Sequence, residues 1–109
     1  MSRRDHDILI QDMLESCLKI NRYVKGLTFS DFKEDDKTID AVIRNMEIIG
    51  EASYGLSDEF KENHATIDWH RLRGLRNRIV HDYAGVDLSI IWTIISDFLP
   101  DLIAKLEVI

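Results

Sequence analysis

The chain has 109 residues, 45% of them hydrophobic and 31% charged, with one Cys, one Pro and a formal net charge of −6. That balance fits a single globular domain over 1–109 and argues against a disordered chain, while the lone Cys17 excludes an internal disulfide and suits a reducing compartment. The acidity disfavours a protein that coats nucleic acid with its whole surface, but it allows a local basic patch, and Trp69–His81 holds four Arg, two His and no acid.

The N-terminus carries Asp5 and Asp7 before any apolar run and does not read as a signal peptide. A first helix is predicted from about Asp5 to Lys25, with Ile10, Met13, Leu14, Cys17, Leu18 and Val24 as its apolar stripe and Gly26 as its stop. Thr28 to Lys37 reads as a connection with room for one helical turn that Ser30 could cap. The second helix is expected from about Thr38 to Ser53, burying Ile39, Val42, Ile43, Met46, Ile49 and Gly50. Gly50, with no side chain, would let another helix approach closely. Ser57 can cap a short helix ending near Asn63, with Asp58 and Glu59 suiting its dipole. Asp68 is the expected cap of a third helix, Trp69 to Asp82, striped with Leu72, Leu75 and Ile79. Ala84-Gly85-Val86 breaks the pattern. Asp87 then caps a fourth helix that buries Ile91, Ile94, Ile95, Phe98, Leu102 and Leu106, with Pro100 expected to kink it or end its first half.

No segment alternates with period two, so the expected class is all-α: a compact four- to five-helix bundle. The most apolar stretch, Leu88 to Leu99, contains Ser89, Thr93, Ser96 and Asp97 and is too short and polar to cross a bilayer. A cytoplasmic protein with no membrane partner is expected. Ile90, Ile91, Trp92, Ile94, Ile95, Phe98 and Leu99 cover most of the fourth helix's circumference. A helix apolar nearly all round is buried all round, which in a domain this small predicts burial against a second copy, a homodimer, with a central core helix as the alternative.

The third helix concentrates the chemistry-bearing side chains. At about 100° per residue, His70, Gly74, Asn77 and His81 share a stripe flanked by Arg73 and Arg78. His and Arg together suit phosphodiester cleavage on RNA. The 2′-hydroxyl is an internal nucleophile, His moves protons near neutral pH, and Arg offsets the charge that builds on phosphorus. Such chemistry requires no metal and no cofactor. On spacing alone, a solvated basic helix face explains the same residues, and that is the commoner case. A metal site is weaker still, because His70 and His81 are too far apart on a helix to share an ion.

Arg76-x-x-x-x-His81-x-Tyr83, with Asn77 directly after the Arg, resembles the RxxxxHxY signature of the HepT-like toxins of the HEPN superfamily. The likeness covers most of the chain: the opening helix from Asp5, Ile48-Ile49-Gly50-Glu51-Ala52 on the second helix, Trp69, and Ile91-Trp92 through Leu99-Pro100-Asp101-Leu102. It implies a HEPN-like bundle that forms a homodimer with the two motifs facing each other across a cleft. It further implies a metal-independent endoribonuclease acting on an RNA substrate, the toxin of a toxin–antitoxin pair. Arg76 would stabilise the phosphorane, His81 would serve as acid and base, and Asn77 would orient the phosphate or Arg76. Tyr83 resembles the tyrosine that a minimal nucleotidyltransferase antitoxin modifies with AMP, which would add bulk and negative charge beside the cleft.

On an unbroken helix Arg76 and His81 project about 140° apart, whereas Arg78 and His81, three apart, share a face. Either the helix distorts before His81, or Arg76 works with groups across the dimer, or Arg78 takes a larger part. Glu51 could orient Arg76 or His81, or be a plain interhelical ion pair. Arg71 and Arg73 could guide RNA or simply be solvated. His6 and His64 are expected on the surface, Cys17, Trp69 and Trp92 in the core, and Tyr23 and Tyr54 have no assigned role. The competing function is a non-catalytic helical dimer that binds nucleotide or scaffolds a nucleotidyltransferase; a purely structural bundle requires the motif to be coincidence.

Overall fold

A computed structural model of the chain describes residues 3–81 and 87–109, with side chains for all of these except 3 and 79–81. Every regular element among them is helical: α1 (Arg3–Val24), α2 (Phe29–Lys33), α3 (Asp36–Tyr54), α4 (Asp58–Asn63), α5 (Trp69–His81), α6 (Leu88–Thr93), a π turn (Ile94–Phe98) and α7 (Leu99–Glu107). The all-α class read from periodicity is the class observed. Ala84-Gly85-Val86 and the expected helix end at Asp82 lie outside the described residues.

Short-range chemistry sets most of the boundaries. Gly26, at φ 81°, takes the left-handed conformation that stops α1, and Leu27 N–H bonds back to the Val24 carbonyl at 2.9 Å. Asp35 caps α3, Ser57 caps α4, Asp87 caps α6, and Asp68 accepts from Arg71 N–H at 2.9 Å at the head of α5. The cap of α2 is Thr28, not Ser30. Thr28 accepts from Asp31 N–H while Asp31 accepts from Thr28 N–H, a reciprocal pair that a cap at Ser30 would forgo.

One cluster of buried apolar side chains runs through the molecule, with α3 at its centre between α1 and α5. From α1 it takes Ile10, Met13, Cys17 and Ile20, spaced three and four apart. Leu18, expected in that stripe, is 44% exposed because it lies about 100° round the helix from Cys17. α3 contributes Val42, Ile43, Met46 and Ile49, α5 contributes Leu72 and Leu75, and α7 contributes Leu99, Leu102 and Leu106. Trp92 is half-buried against Phe32, ring centroids 5.1 Å apart, which holds α2 to α6. Burial pushes the Cys17 thiol up to about 12, against a smaller opposing backbone hydrogen bond, so it stays a neutral core group.

Pro100 is accommodated by widening the helix ahead of it. Leu99 N–H bonds to the Ile94 carbonyl, five residues back, and Pro100 then falls in the first turn of α7, where its missing N–H costs least. The change in register keeps Ile91, Ile95, Phe98, Leu99 and Leu102 all buried. Trp92 and Ile94 pack half-buried against the same core, and Ile90 stays 41% exposed. One chain therefore covers most of this helix's apolar circumference, as the central-helix alternative expected, and the helix does not by itself call for a second copy. No helix among the described residues is long and apolar enough to cross a membrane.

Candidate active site

α5 is α-helical without interruption from Trp69 to His81. The backbone shows no distortion before His81 that would bring Arg76 and His81 together on one helix, so the two positions lie about 140° apart round α5. The first half of α5 is tied into the fold. Leu72 and Leu75 are buried, and the Trp69 indole N–H donates to the carbonyls of Lys61 and His64 at 3.1 and 3.0 Å, closing the end of α4. His70, Arg73, Gly74, Asn77 and Arg78 are exposed, and a Cβ added at Gly74 would meet nothing within 4 Å. The polar face read from spacing is thus open from His70 to Arg78, with no neighbouring element over Gly74 among the described residues.

Arg76 stands apart from these. It leaves α5 on the side facing α3, and four features of its surroundings follow from that crossing. Gly50 lies directly against it: a Cβ built there would sit 2.8 Å from Arg76 Cβ and 3.0 Å from its Cα. Any larger residue would push the helices apart. Arg76 Nε–H donates to Glu51 Oε1 at 3.1 Å, and the guanidinium carbon lies 4.1 Å from the centroid of the Tyr54 ring. The Arg76 side chain is 24% exposed in this cradle, against 51% for Glu51. Of the two readings that the sequence left side by side, the interhelical ion pair between Glu51 and Arg76 is the one observed.

The structure brings Arg76 and Glu51 together and leaves Asn77, Arg78 and Arg73 on the open face of α5. Arg71 extends the other way, its guanidinium 4.6 Å from the Phe98 centroid, so packing takes part of what was offered as an RNA contact. His81 closes α5; Tyr83 lies outside the described residues. Sequence reasoning missed Tyr54. The available signal was its spacing, four after Gly50 and three after Glu51, which puts all three on one face of α3. His6 and His64 are partly exposed, as expected of surface residues, but they are also packed. They flank Phe60, ring centroids 4.6 and 4.4 Å away, and His6 Nε2 is 3.3 Å from Ser57 Oγ. The aromatic ring that α4 presents between α1 and its own end offered an apolar surface that the sequence reading had not placed. Among the described residues no three His, Cys, Asp or Glu side chains converge as metal ligands.

An all-helical bundle that crosses α3 and α5 at a glycine and clamps an arginine beside an open basic face defines a class of protein. The chain belongs to the family described as "Ribonuclease HepT-like", whose pattern matches residues 13–109. It is 36% identical over 105 residues to "Probable ribonuclease HepT" of Thermococcus cleftensis, covering 96% of each chain. It is 33% identical over 109 residues to "Putative RNase MJ1380" of Methanocaldococcus jannaschii, covering both chains completely. A third relative, "Putative RNase TTE0752" of Caldanaerobacter subterraneus subsp. tengcongensis, is 38% identical over 93 residues, 85% of this chain and 83% of the relative. No solved structure matches the chain significantly.

Proposed function

We propose that this single-domain chain is a metal-independent endoribonuclease, the toxin of a toxin–antitoxin pair, acting as a homodimer. The observation that carries this reading is the Arg76 clamp within an intact Arg76-x-x-x-x-His81 motif, in a family whose relatives are named as ribonucleases. His81 takes the proton of the 2′-hydroxyl, whose oxygen attacks the adjacent phosphorus. The P–O5′ bond breaks, the departing oxygen is protonated, and a 2′,3′-cyclic phosphate remains. Arg76 and Arg78 supply fixed charge to the equatorial oxygens, Asn77 orients the phosphate, and Arg71 and Arg73 steer RNA. Because α5 is unbroken, Arg76 and His81 on one helix diverge; convergence on one phosphate then comes from two α5 helices facing each other across a dimer cleft. A minimal nucleotidyltransferase antitoxin would silence the site by transferring AMP to Tyr83. The phenol oxygen would displace pyrophosphate from a nucleoside triphosphate and leave a bulky anion beside the cleft.

The test is cleavage of a mixed-sequence RNA by purified protein in EDTA, together with its mass in solution. A particle of twice the 12.7 kDa chain that yields cyclic-phosphate ends, with losses of about 10²–10⁴-fold in His81→Ala and about 10²–10³-fold in Arg76→Ala, is expected. A monomer would overturn the dimer-cleft proposal, and a wild-type dimer that leaves RNA intact would overturn it in favour of a non-catalytic dimer that binds nucleotide or scaffolds a nucleotidyltransferase. Intact mass after co-expression with a nucleotidyltransferase checks the antitoxin step, an AMP-sized addition lost in Tyr83→Phe being the expected outcome.

A further inference from the structure

We infer that Tyr54 is a positioning residue for Arg76, the shelf that fixes the plane of its guanidinium; as a catalytic contribution this rests on the ribonuclease reading above. Tyr54 is 64% exposed, an aromatic ring that the core does not require. Yet the Arg76 guanidinium carbon sits 4.1 Å from its centroid. Glu51 accepts only the Nε–H, at 3.1 Å. One hydrogen bond at Nε leaves the guanidinium free to swing about that contact. A ring beneath the guanidinium carbon restricts that swing, and cation–π attraction adds to the effect. Arginine has five N–H donors, and the four on Nη1 and Nη2 are the ones with the forked geometry for phosphate oxygens. Gly50 completes the arrangement by letting α5 approach until Arg76 Cβ touches the α3 backbone. Gly50, Glu51 and Tyr54 thus hold the arginine at its root, at Nε and over the ring and, among the described residues, leave its tip for substrate.

The experiment pairs a resonance with a rate. In wild-type protein the Arg76 Cδ protons are expected at ring-shifted positions; Tyr54→Phe keeps them there and Tyr54→Ala returns them to ordinary values. On an RNA oligonucleotide, Tyr54→Phe cleaves within about twofold of wild type. Tyr54→Ala loses about three- to thirtyfold in kcat with KM within about twofold, the size of one cation–π contact. Because the ring is exposed, Tyr54→Ala opens no cavity and melts as wild type does. Tyr23→Ala, at an exposed tyrosine on α1, is the control and changes neither readout. Unshifted Arg76 protons in wild type, an equal loss in Tyr54→Phe, or a rate loss that only follows dissociation of the particle would overturn the inference. If wild type cleaves no RNA, the ribonuclease reading fails, and the resonance still decides whether Tyr54 fixes Arg76.

Discussion

Arg71 and Arg76 are five residues apart on α5, and each lays its guanidinium over an aromatic ring. Under Arg71 the ring is Phe98, 5% exposed and part of the π turn that accommodates Pro100. Under Arg76 it is Tyr54, 64% exposed, with Glu51 on Nε. The same attraction therefore serves two ends. A cation over a buried ring covers apolar surface with its methylene stem and helps dock one helix on another. A cation over an open ring, held also by a carboxylate, is fixed in direction: Arg76 is the more enclosed of the two, its side chain 24% exposed, whereas Arg71 is exposed. The ring beneath and the carboxylate at Nε separate the two arginines; the arginine count along α5 does not.

That contrast can be broken most directly by Arg71→Ala beside Arg76→Ala. If the two arginines differ as their surroundings indicate, Arg71→Ala stays within about threefold of wild type in RNA cleavage, the scale of one exposed contact, while Arg76→Ala loses about 10²–10³-fold. Equal losses would show that α5 acts as an undifferentiated basic face. Two glycines sharpen the same comparison. Gly50→Ala must displace Arg76 or spread α3 from α5, which should cost about 1–3 kcal/mol in chemical denaturation and lower cleavage with it. Gly74→Ala meets open space in mid-helix and should stabilise by about 0.5–1 kcal/mol. A neutral Gly50→Ala would show that the close crossing is not required.

The smallest expected effect is in acid. Asp35 caps the helix that carries Tyr54, and Asp87 caps the helix leading to Phe98. Hydrogen bonds from the Thr38 hydroxyl and N–H hold the Asp35 carboxyl below its usual 3.8, and those from Ser89 do the same for Asp87. A depressed folded-state value means that the stabilisation is fully present above the unfolded value and is lost as pH falls through the folded one. Melting temperature should therefore decline below about pH 4, and Asp35→Asn and Asp87→Asn should each shallow that decline. A wild-type melting curve flat down to pH 3 would remove the caps from the account.

Much of the scaffold was legible because its signals are local. Ser57, Asp68 and Asp87 were readable as caps from their places before apolar runs, and Gly26 as a stop, since each acts on backbone groups within a few residues. Thr28 was missed in favour of Ser30 because two hydroxyl residues two positions apart compete, and only the reciprocal bond with Asp31 decides between them. The core face of α1 was mostly right, with Leu18 misplaced at the stripe's edge, where a hundred degrees of rotation separates inside from outside.

The Arg76 site shows the other limit. Its motif is visible as a string, and so is Gly50, but that Arg76 Cβ meets Gly50, that Glu51 takes Nε and that Tyr54 lies beneath the guanidinium are facts about two helices crossing. The same holds for the histidines that flank Phe60 and for the π turn ahead of Pro100. The amino-acid order by itself determined the main helices, the caps at Ser57, Asp68 and Asp87, the all-α class and the basic segment, because periodicity and capping act over one to four residues. Which arginine is clamped, and by what, was decided only in the tertiary structure, because contacts between residues about 25 apart in sequence depend on where and how closely α3 and α5 pack.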